Sequence, residues 1–261
     1  MENLWQDVRY GVRSLLKHPG FALIAVITLS LGIGANSAMF STVNAVLLRP
    51  LAYPESERIV LLEGVNAGAG ITQSNMSIPD FADWQQQNQS FEQLAAFVSG
   101  GAVITNGDET ERVRAASVTA DFFPLFRTGA LRGRTLQPDD AQKGHDSVVV
   151  LSYPLWQRRF GAAENVIGTN IIVAGQSTTI VGVMPAGFDY PTQSELWVPY
   201  PIKAAAERRD NRFIEVVGRL KANVSIAQAQ SSLDTINQRL AQTYVETNTG
   251  WNDSQSVSLR R

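Results

Sequence analysis

The sequence predicts an α+β protein in which one N-terminal transmembrane helix precedes a large region of alternating strands and helices. Three observations predict this class. Residues 20–48 form a run of 29 positions without a charged side chain, although 18% of the chain of 261 residues is charged. The 213 residues after this run alternate period-two and period-3.6 apolar patterns, which are typical of strands and helices. A basic amphipathic stretch precedes the uncharged run.

The stretch at residues 1–19 is predicted to be an interfacial helix. One side of its helical wheel carries large apolar residues and the other carries basic residues. The residues that define these two sides are Leu4, Trp5, Val8, Val12, Arg9 and Arg13. Such a helix lies in the plane of the membrane interface. Periodicity leaves open whether it is only a solvated leader or docks on a cytoplasmic protein.

Residues 20–48 are predicted to contain the transmembrane helix. A helix of this length would measure about 43 Å, against a hydrocarbon core of about 30 Å. We therefore expect the bilayer span at residues 21–40. A buried core helix and a cleaved signal peptide are the alternatives; residues 35–38 offer small side chains for cleavage. The apolar run resumes at Met39, which favours an uncleaved span.

The orientation of the span and its packing face can also be predicted. Arg9, Arg13 and Lys17 lie before the span, and this bias favours a cytoplasmic N-terminus with the bulk of the chain outside the inner membrane. Ser30, Gly34 and Ala38 recur at four-residue intervals. Small residues in this register let a second transmembrane helix approach closely, so we expect a helix–helix contact there.

The external region, residues 49–261, is predicted from local patterns. Strands are expected at residues 58–63, 94–98, 102–105, 111–118, 147–151, 170–173, 178–184, 195–199 and 212–220. Helices are expected at residues 79–87 and 153–160, and a last one begins at Ser225 with a Ser225–Gln228 capping box. The pairs Gly100-Gly101 and Asn106-Gly107 predict turns. Residues 251–261 are polar and predict no closing element.

Composition excludes several kinds of chemistry. The absence of cysteine excludes disulfides and thiolate metal sites, and two histidines cannot form a multi-histidine metal site. A net charge of −2 offers no basic field for nucleic acid. No Walker A or nucleophile-elbow motif occurs. We interpret His145 and the pair Asp139-Asp140 as surface-loop residues, and Asp80 and Asp83 as helix-start acids that complement the dipole. We therefore predict a protein that is not an enzyme.

Several motifs together carry a family resemblance. They are DVRYGVR at 7–13, KHPGF at 17–21, LSLGIGAN at 29–36, NAVLLRPL at 44–51, FG at 160–161, IG at 167–168, TIVGVMP at 179–185 and LWVP at 196–199. The N-terminal motifs resemble the start of ABC-transporter permeases of the MacB/FtsX type, most closely the acidobacterial duplicated permease group. The later motifs resemble the periplasmic core domain of that family, so the similarity covers essentially the whole chain.

The resemblance implies an architecture and partners. The periplasmic region would have two subdomains: a porter-like α/β lobe at about 50–124 and 206–261, and a β-rich insertion at about 125–205. The chain would sit in the bacterial inner membrane as a permease subunit for efflux or export. A separate cytoplasmic ATPase would bind ATP, so this chain needs no cofactor of its own, and residues 2–17 would lie near that ATPase. A homodimer, pairing with a related permease, and a periplasmic partner are further expectations.

The sequence departs from the family in one large respect. Three further transmembrane helices would follow the core domain in such permeases, and this sequence does not contain them. We therefore expect a fragment or the N-terminal part of a permease, for which transport by this chain alone is in question. The alternative is a single-span, membrane-anchored periplasmic binding or scaffold module without an ATPase partner.

Overall fold

The computed structural model describes residues 9, 17, 19–43, 53–107, 109–191, 193–202, 207–248 and 257–260. They fall into two compact units, Met1–Leu51 and Ala52–Arg261, which we call the membrane unit and the core unit. The membrane unit contains helix α1, Pro19–Val43. The division of residues 49–261 into a porter-like lobe and an insertion stays a prediction.

The core unit is a mixed α/β structure, which confirms the predicted class. Its strands are β1 Ile59–Asn66, β2 Ile71–Ser74, β3 Met76–Ser77, β4 Phe91–Asn106, β5 Glu109–Val118, β6 Arg132–Gly133, β7 Val148–Leu151, β8 Asn170–Val173, β9 Gln176–Val183, β10 Leu196–Pro199, β11 Arg212–Leu220 and β12 Val257–Arg260. Its α-helices are α2 Ile78–Gln87, α3 Phe122–Leu125, α4 Tyr153–Phe160, α5 Ile226–Thr243 and α6 Val245–Asn248.

The strands form one sheet in the order β12-β1-β11-β4-β5-β10-β7-β9-β6. Strand β10 runs parallel to β5, and β7 runs parallel to β9. Strand β11 lies between β1 and β4 and pairs antiparallel with both. Strands β2, β3 and β8 pair off this main path.

The core lies on both faces of the sheet because strand residues alternate between them. On one face, Leu62, Val216 and Leu94 pack beneath α2 and α5. The indole Nε1 of Trp84 in α2 donates to Asn237 Oδ1 of α5 at 2.8 Å, which fixes the two helices to each other. On the opposite face lies an aromatic cluster of Tyr53, Phe97, Phe122, Phe123, Phe126, Phe188, Tyr190 and Trp197. A third cluster packs beneath α4.

Local signals predicted several elements correctly. Ser225 caps α5, and its capping box with Gln228 is present in both directions. The hairpin of β8 and β9 turns at Ala174-Gly175, whose positive φ values of 49° and 83° suit a tight hairpin turn. Asn106 ends β4, and Gly107 begins the predicted turn.

Two secondary-structure predictions for the core unit were wrong. Gly100-Gly101 does not form a turn, because β4 runs straight through both glycines and pairs with β5 from Phe97 to Asn106. The polar C-terminal stretch does contribute a closing element, since β12 pairs with β1. Both errors arose because these strands are defined by their pairing with other strands, which the local sequence does not indicate.

Candidate functional site

Helix α1 has the dimensions and surface of a membrane span. Its 25 residues reach about 38 Å, which exceeds the roughly 30 Å of a hydrocarbon core. Length and composition make its residues Pro19–Ser37 a candidate span. Large apolar side chains such as Phe21, Leu31 and Met39 are exposed around the helix. A helix that exposes large apolar side chains on every side suits lipid.

The predicted packing face of α1 is only partly described. Ser30 and Gly34 are exposed, and a Cβ atom placed on Gly34 would meet no atom within 4 Å. Ala38 lies in the helix, but its side chain is outside the described residues. No contact within the described part of this chain therefore requires a small residue at Gly34. The helix–helix contact stays a prediction.

The interfacial helix falls largely outside the described residues. Arg9 is helical and exposed. Leu4, Trp5, Val8, Val12 and Arg13 are not described, so their roles stay predictions.

Residues 53–58, which we call the incoming segment, are the first described residues of the core unit after the membrane helix. Tyr53 inserts its ring into the aromatic cluster, 4.8 Å from the Phe126 ring and 5.4 Å from the Phe188 ring, both edge-on. Burial, and then the negative charge of Asp189, raise the pKa of the Tyr53 hydroxyl to about 12. The segment is thus anchored from its first described residue.

Arg219 of β11 holds the main chain of the incoming segment. Its side chain is fully buried. Its guanidinium donates to the carbonyl oxygens of Leu125 at 2.6 Å, Pro54 at 3.0 Å and Glu55 at 3.2 Å. Burial, and then the nearby positive charges of other arginines, lower the pKa of this guanidinium from its usual value. One buried cation therefore joins β11, the end of α3 and the incoming segment.

A surface ion-pair network covers this buried arginine. Arg58 pairs with Glu55, and its Nη2 lies 2.6 Å from Glu92 Oε2. Arg127 pairs with the same two carboxylates, at 2.6 Å from Glu55 and 3.1 Å from Glu92. The hydrogen bond from Arg58 lowers the pKa of Glu55, and that from Arg127 lowers the pKa of Glu92. Both glutamates thus stay ionised and balance the arginines around them.

Asp80 is buried in a second network, which the sequence interpretation missed. Its carboxylate is fully buried and accepts from Arg209 Nη1 at 2.7 Å, Arg212 Nη2 at 3.1 Å and Asn248 Nδ2 at 2.9 Å. Arg209 also pairs with Asp83 at 2.6 Å. The sequence interpretation placed Asp80 at a helix start, where an acid complements the dipole, and the Ser77 hydroxyl there accepts from the Asp80 N–H. The carboxylate itself ties α2 to residues more than 120 positions away.

The acidic pair Asp139-Asp140 also departs from its surface-loop interpretation. Asp139 is exposed, but Asp140 is buried and pairs with both terminal nitrogens of Arg134, at 2.5 and 2.8 Å. His145 is exposed, as predicted. Among the described residues, no group of three or more acidic, histidine or cysteine side chains is placed to hold a metal ion.

Comparison with known proteins agrees with this architecture. The family model of the MacB-like periplasmic core domain matches residues 22–236. No curated protein sequence matches the chain.

Solved structures that share the fold include three from transporters or permeases. They are the periplasmic region of MacB from Actinobacillus actinomycetemcomitans (TM-score 0.57, 15% identity, 78% of this chain and 88% of that one), a domain of a putative permease from Porphyromonas gingivalis (0.59, 19%, 80% and 92%), and the extracellular domain of the noncanonical ABC-type transporter YknZ from Gram-positive bacteria (0.55, 13%, 78% and 100%). At these identities the likeness establishes the fold alone.

Proposed function

Because this chain belongs to the family of MacB-like periplasmic core domains, we propose that it is a permease subunit, or the N-terminal part of one, of an ABC transporter. The observation that carries the proposal is the order of the membrane helix and the core unit along the chain. A lipid-compatible helix, Pro19–Val43, precedes a core unit whose incoming segment is anchored by buried contacts. In this proposal α1 crosses the bacterial inner membrane with the N-terminus in the cytoplasm and the core unit in the periplasm.

The chain's task is to pass on motion rather than to catalyse a reaction. A separate cytoplasmic ATPase binds and hydrolyses ATP, and the permease carries the resulting movement to the periplasm for efflux or export. The chain itself needs no cofactor. Residues 2–17 supply the contact with the ATPase: their apolar face rests on the membrane, and Arg9 and Arg13 face the cytoplasm.

The proposal predicts that charge reversal on the interfacial helix weakens ATPase binding. The full chain is coexpressed with the ABC ATPases of its host, and the ATPase recovered with it is quantified. Arg9→Glu combined with Arg13→Glu is expected to lower recovery at least fivefold, because rim charges govern recognition. The difference from the wild-type chain should shrink at high salt, since exposed charges are screened within about 8 Å at physiological ionic strength.

Two controls accompany this test. Arg112→Glu with Lys221→Glu makes the same change of charge at exposed positions of the core unit, and it should leave ATPase recovery unchanged. Alkaline phosphatase fused after Arg261 should be active in all variants, since the core unit is proposed to be periplasmic. An inactive fusion would overturn the orientation. Equal ATPase recovery after deletion of residues 2–17 would show that these residues are only a leader, and no ATPase recovery with the wild-type chain would favour a membrane-anchored module without an ATPase.

Gly34→Leu is expected to weaken association of α1 with a second transmembrane helix, within a homodimer or with a related permease. Lipid supplies no hydrophobic drive between helices, so close backbone approach is the main source of affinity. A two-hybrid assay in the membrane should report a several-fold lower signal.

Gly32→Leu is the matched control for Gly34→Leu. It adds the same side chain about 200° around the helix, and its Cβ position is equally free of neighbours. A signal that drops for Gly32→Leu but not for Gly34→Leu would show that the packing face is on the other side.

A further inference from the structure

The chemistry of Arg219 indicates a positioning role. A buried guanidinium is costly to desolvate, and apolar residues of similar volume usually stabilise a core at least as well. What an apolar residue cannot do is bond three main-chain oxygens on two separate segments. The planar fork of arginine offers five donors in fixed directions, which lysine does not. Arg219 uses this fork to bond Leu125, Pro54 and Glu55 together.

The hydrogen bonds of Arg219 join the incoming segment, which follows the membrane helix in the sequence, to a strand in the middle of the sheet. Nine residues separate Val43, the end of α1, from Tyr53. Strand β11 pairs on one side with β1 over Ile59–Leu62 and on the other with β4 over Phe91–Phe97. A displacement of the incoming segment therefore acts directly on a central strand.

Arg58 reinforces the same junction from the opposite direction. Its Nε and Nη2 donate to the carbonyl oxygen of Leu220, the last residue of β11, at 2.8 and 2.5 Å. Arg219 thus reaches from β11 to the incoming segment, while Arg58 reaches from the incoming segment to β11. The contact is reciprocal and consists of charge-assisted bonds to main chain, so it resists displacement of either side.

We infer that Arg219 is the positioning residue that fixes the incoming segment to the core sheet, so that displacement of this segment displaces the sheet. This inference rests on the proposed function, in which the chain passes on motion. Without Arg219, a displaced incoming segment would move while the sheet stays in place.

The first test measures the junction itself. The chain contains no cysteine, so paired nitroxide labels can be introduced without background. The full chain in lipid nanodiscs carries Glu57→Cys with Arg112→Cys, both at exposed positions, and pulsed dipolar spectroscopy gives their distance distribution. The distribution should be narrow in the wild-type background and at least twice as broad with Arg219→Met. Arg219→Lys should be intermediate, because it keeps the charge but loses the fork.

A matched label pair reports on the sheet alone. Lys221→Cys with Arg112→Cys places the two labels at exposed positions, one directly after β11 and one on β5. The distance distribution of this pair should stay narrow with Arg219→Met. Arg209→Met is the control variant, because it removes another largely buried arginine that bonds Asp80 rather than the incoming segment. It should leave the Glu57→Cys pair narrow. A narrow Glu57→Cys distribution with Arg219→Met would overturn the inference, and broadening of both pairs would show general unfolding instead.

The second test measures transmission. The chain and its ATPase are reconstituted together, and a fluorophore on Arg112→Cys reports its distance from the membrane surface with and without ATP. Arg219→Met should leave ATP hydrolysis unchanged and reduce the ATP-dependent change in this distance at least fivefold. Arg209→Met should leave both quantities unchanged. A full change with Arg219→Met would overturn the inference. If no ATPase associates with the wild-type chain, the proposed function fails, and the label distances alone decide whether Arg219 holds the junction.

Discussion

Asp80→Ala is expected to lower the free energy of unfolding of the core unit by about 3–5 kcal/mol, the usual cost of removing one partner from a buried ion pair. The Asp80 carboxylate is fully buried and receives hydrogen bonds from Arg209, Arg212 and Asn248. Alanine would leave the Arg212 guanidinium, whose side chain is 6% exposed, without its main negative neighbour. The large effect arises because a buried charge loses its main partner.

Urea unfolding of the full chain in detergent micelles measures this effect. The buried Trp84, Trp156 and Trp197 report on the core unit through their fluorescence. Asp80→Asn keeps the shape of the side chain and should cost less than Asp80→Ala. Asp210→Ala is the matched control, because Asp210 pairs with Arg208 at an exposed site, and it should leave the unfolding midpoint unchanged. A loss below about 1 kcal/mol for Asp80→Ala would contradict the expected role of the carboxylate.

Gly182→Ala is expected to destabilise the core unit by about 3 kcal/mol, the upper end of the cost of overpacking. Gly182 of β9 pairs directly with Gly133 of β6. A Cβ atom on Gly182 would lie 2.0 Å from the carbonyl oxygen of Arg134, a main-chain atom that cannot rotate away. The strand β6 would have to move, and the hydrogen bond from Arg134 N to Val181 O would be strained.

Gly100→Ala provides the contrast. Gly100 also lies within a strand, but a Cβ atom there meets nothing within 4 Å. Because alanine has less conformational freedom in the unfolded chain, this substitution should raise stability by about 0.5 kcal/mol. Thermal unfolding followed by circular dichroism separates the two variants. Similar thermal unfolding midpoints for Gly182→Ala and Gly100→Ala would contradict this prediction, because they would show that β6 can shift without loss of stability.

The elements that the sequence predicts well are those whose signals are local. The α5 cap depends on Ser225 and Gln228, three residues apart, and the β8–β9 turn depends on adjacent residues. Gly100-Gly101 misled the interpretation because a glycine pair is also compatible with a strand. In the structure the Arg112 side chain lies across Gly101 from the paired strand, with its Nε 3.3 Å from the glycine's Cβ position.

The two buried charge networks could not be predicted, for a different physical reason. The partners of Asp80 are 129, 132 and 168 residues away, so no spacing indicates them. Arg219 stands near the end of an apolar strand, where a basic residue normally reaches solvent. Only the tertiary fold brings the Pro54 and Glu55 carbonyls to its guanidinium. Strand β12 was missed similarly, since it pairs with β1, which lies far earlier in the chain.

The antiparallel pairing of β12 with β1 has a mechanical consequence. Leu61 pairs with Arg260 and Gly64 with Val257, so the start of β1 and the end of β12 lie at the same end of the sheet. A force that pulls both of these ends in the same direction moves the two strands together and puts no strain on the hydrogen bonds between them. Forces that draw them apart sideways open the ladder one hydrogen bond at a time. The pairing of β1 with β12 is therefore mechanically anisotropic: it withstands forces that move both strand ends together and opens under forces that separate them.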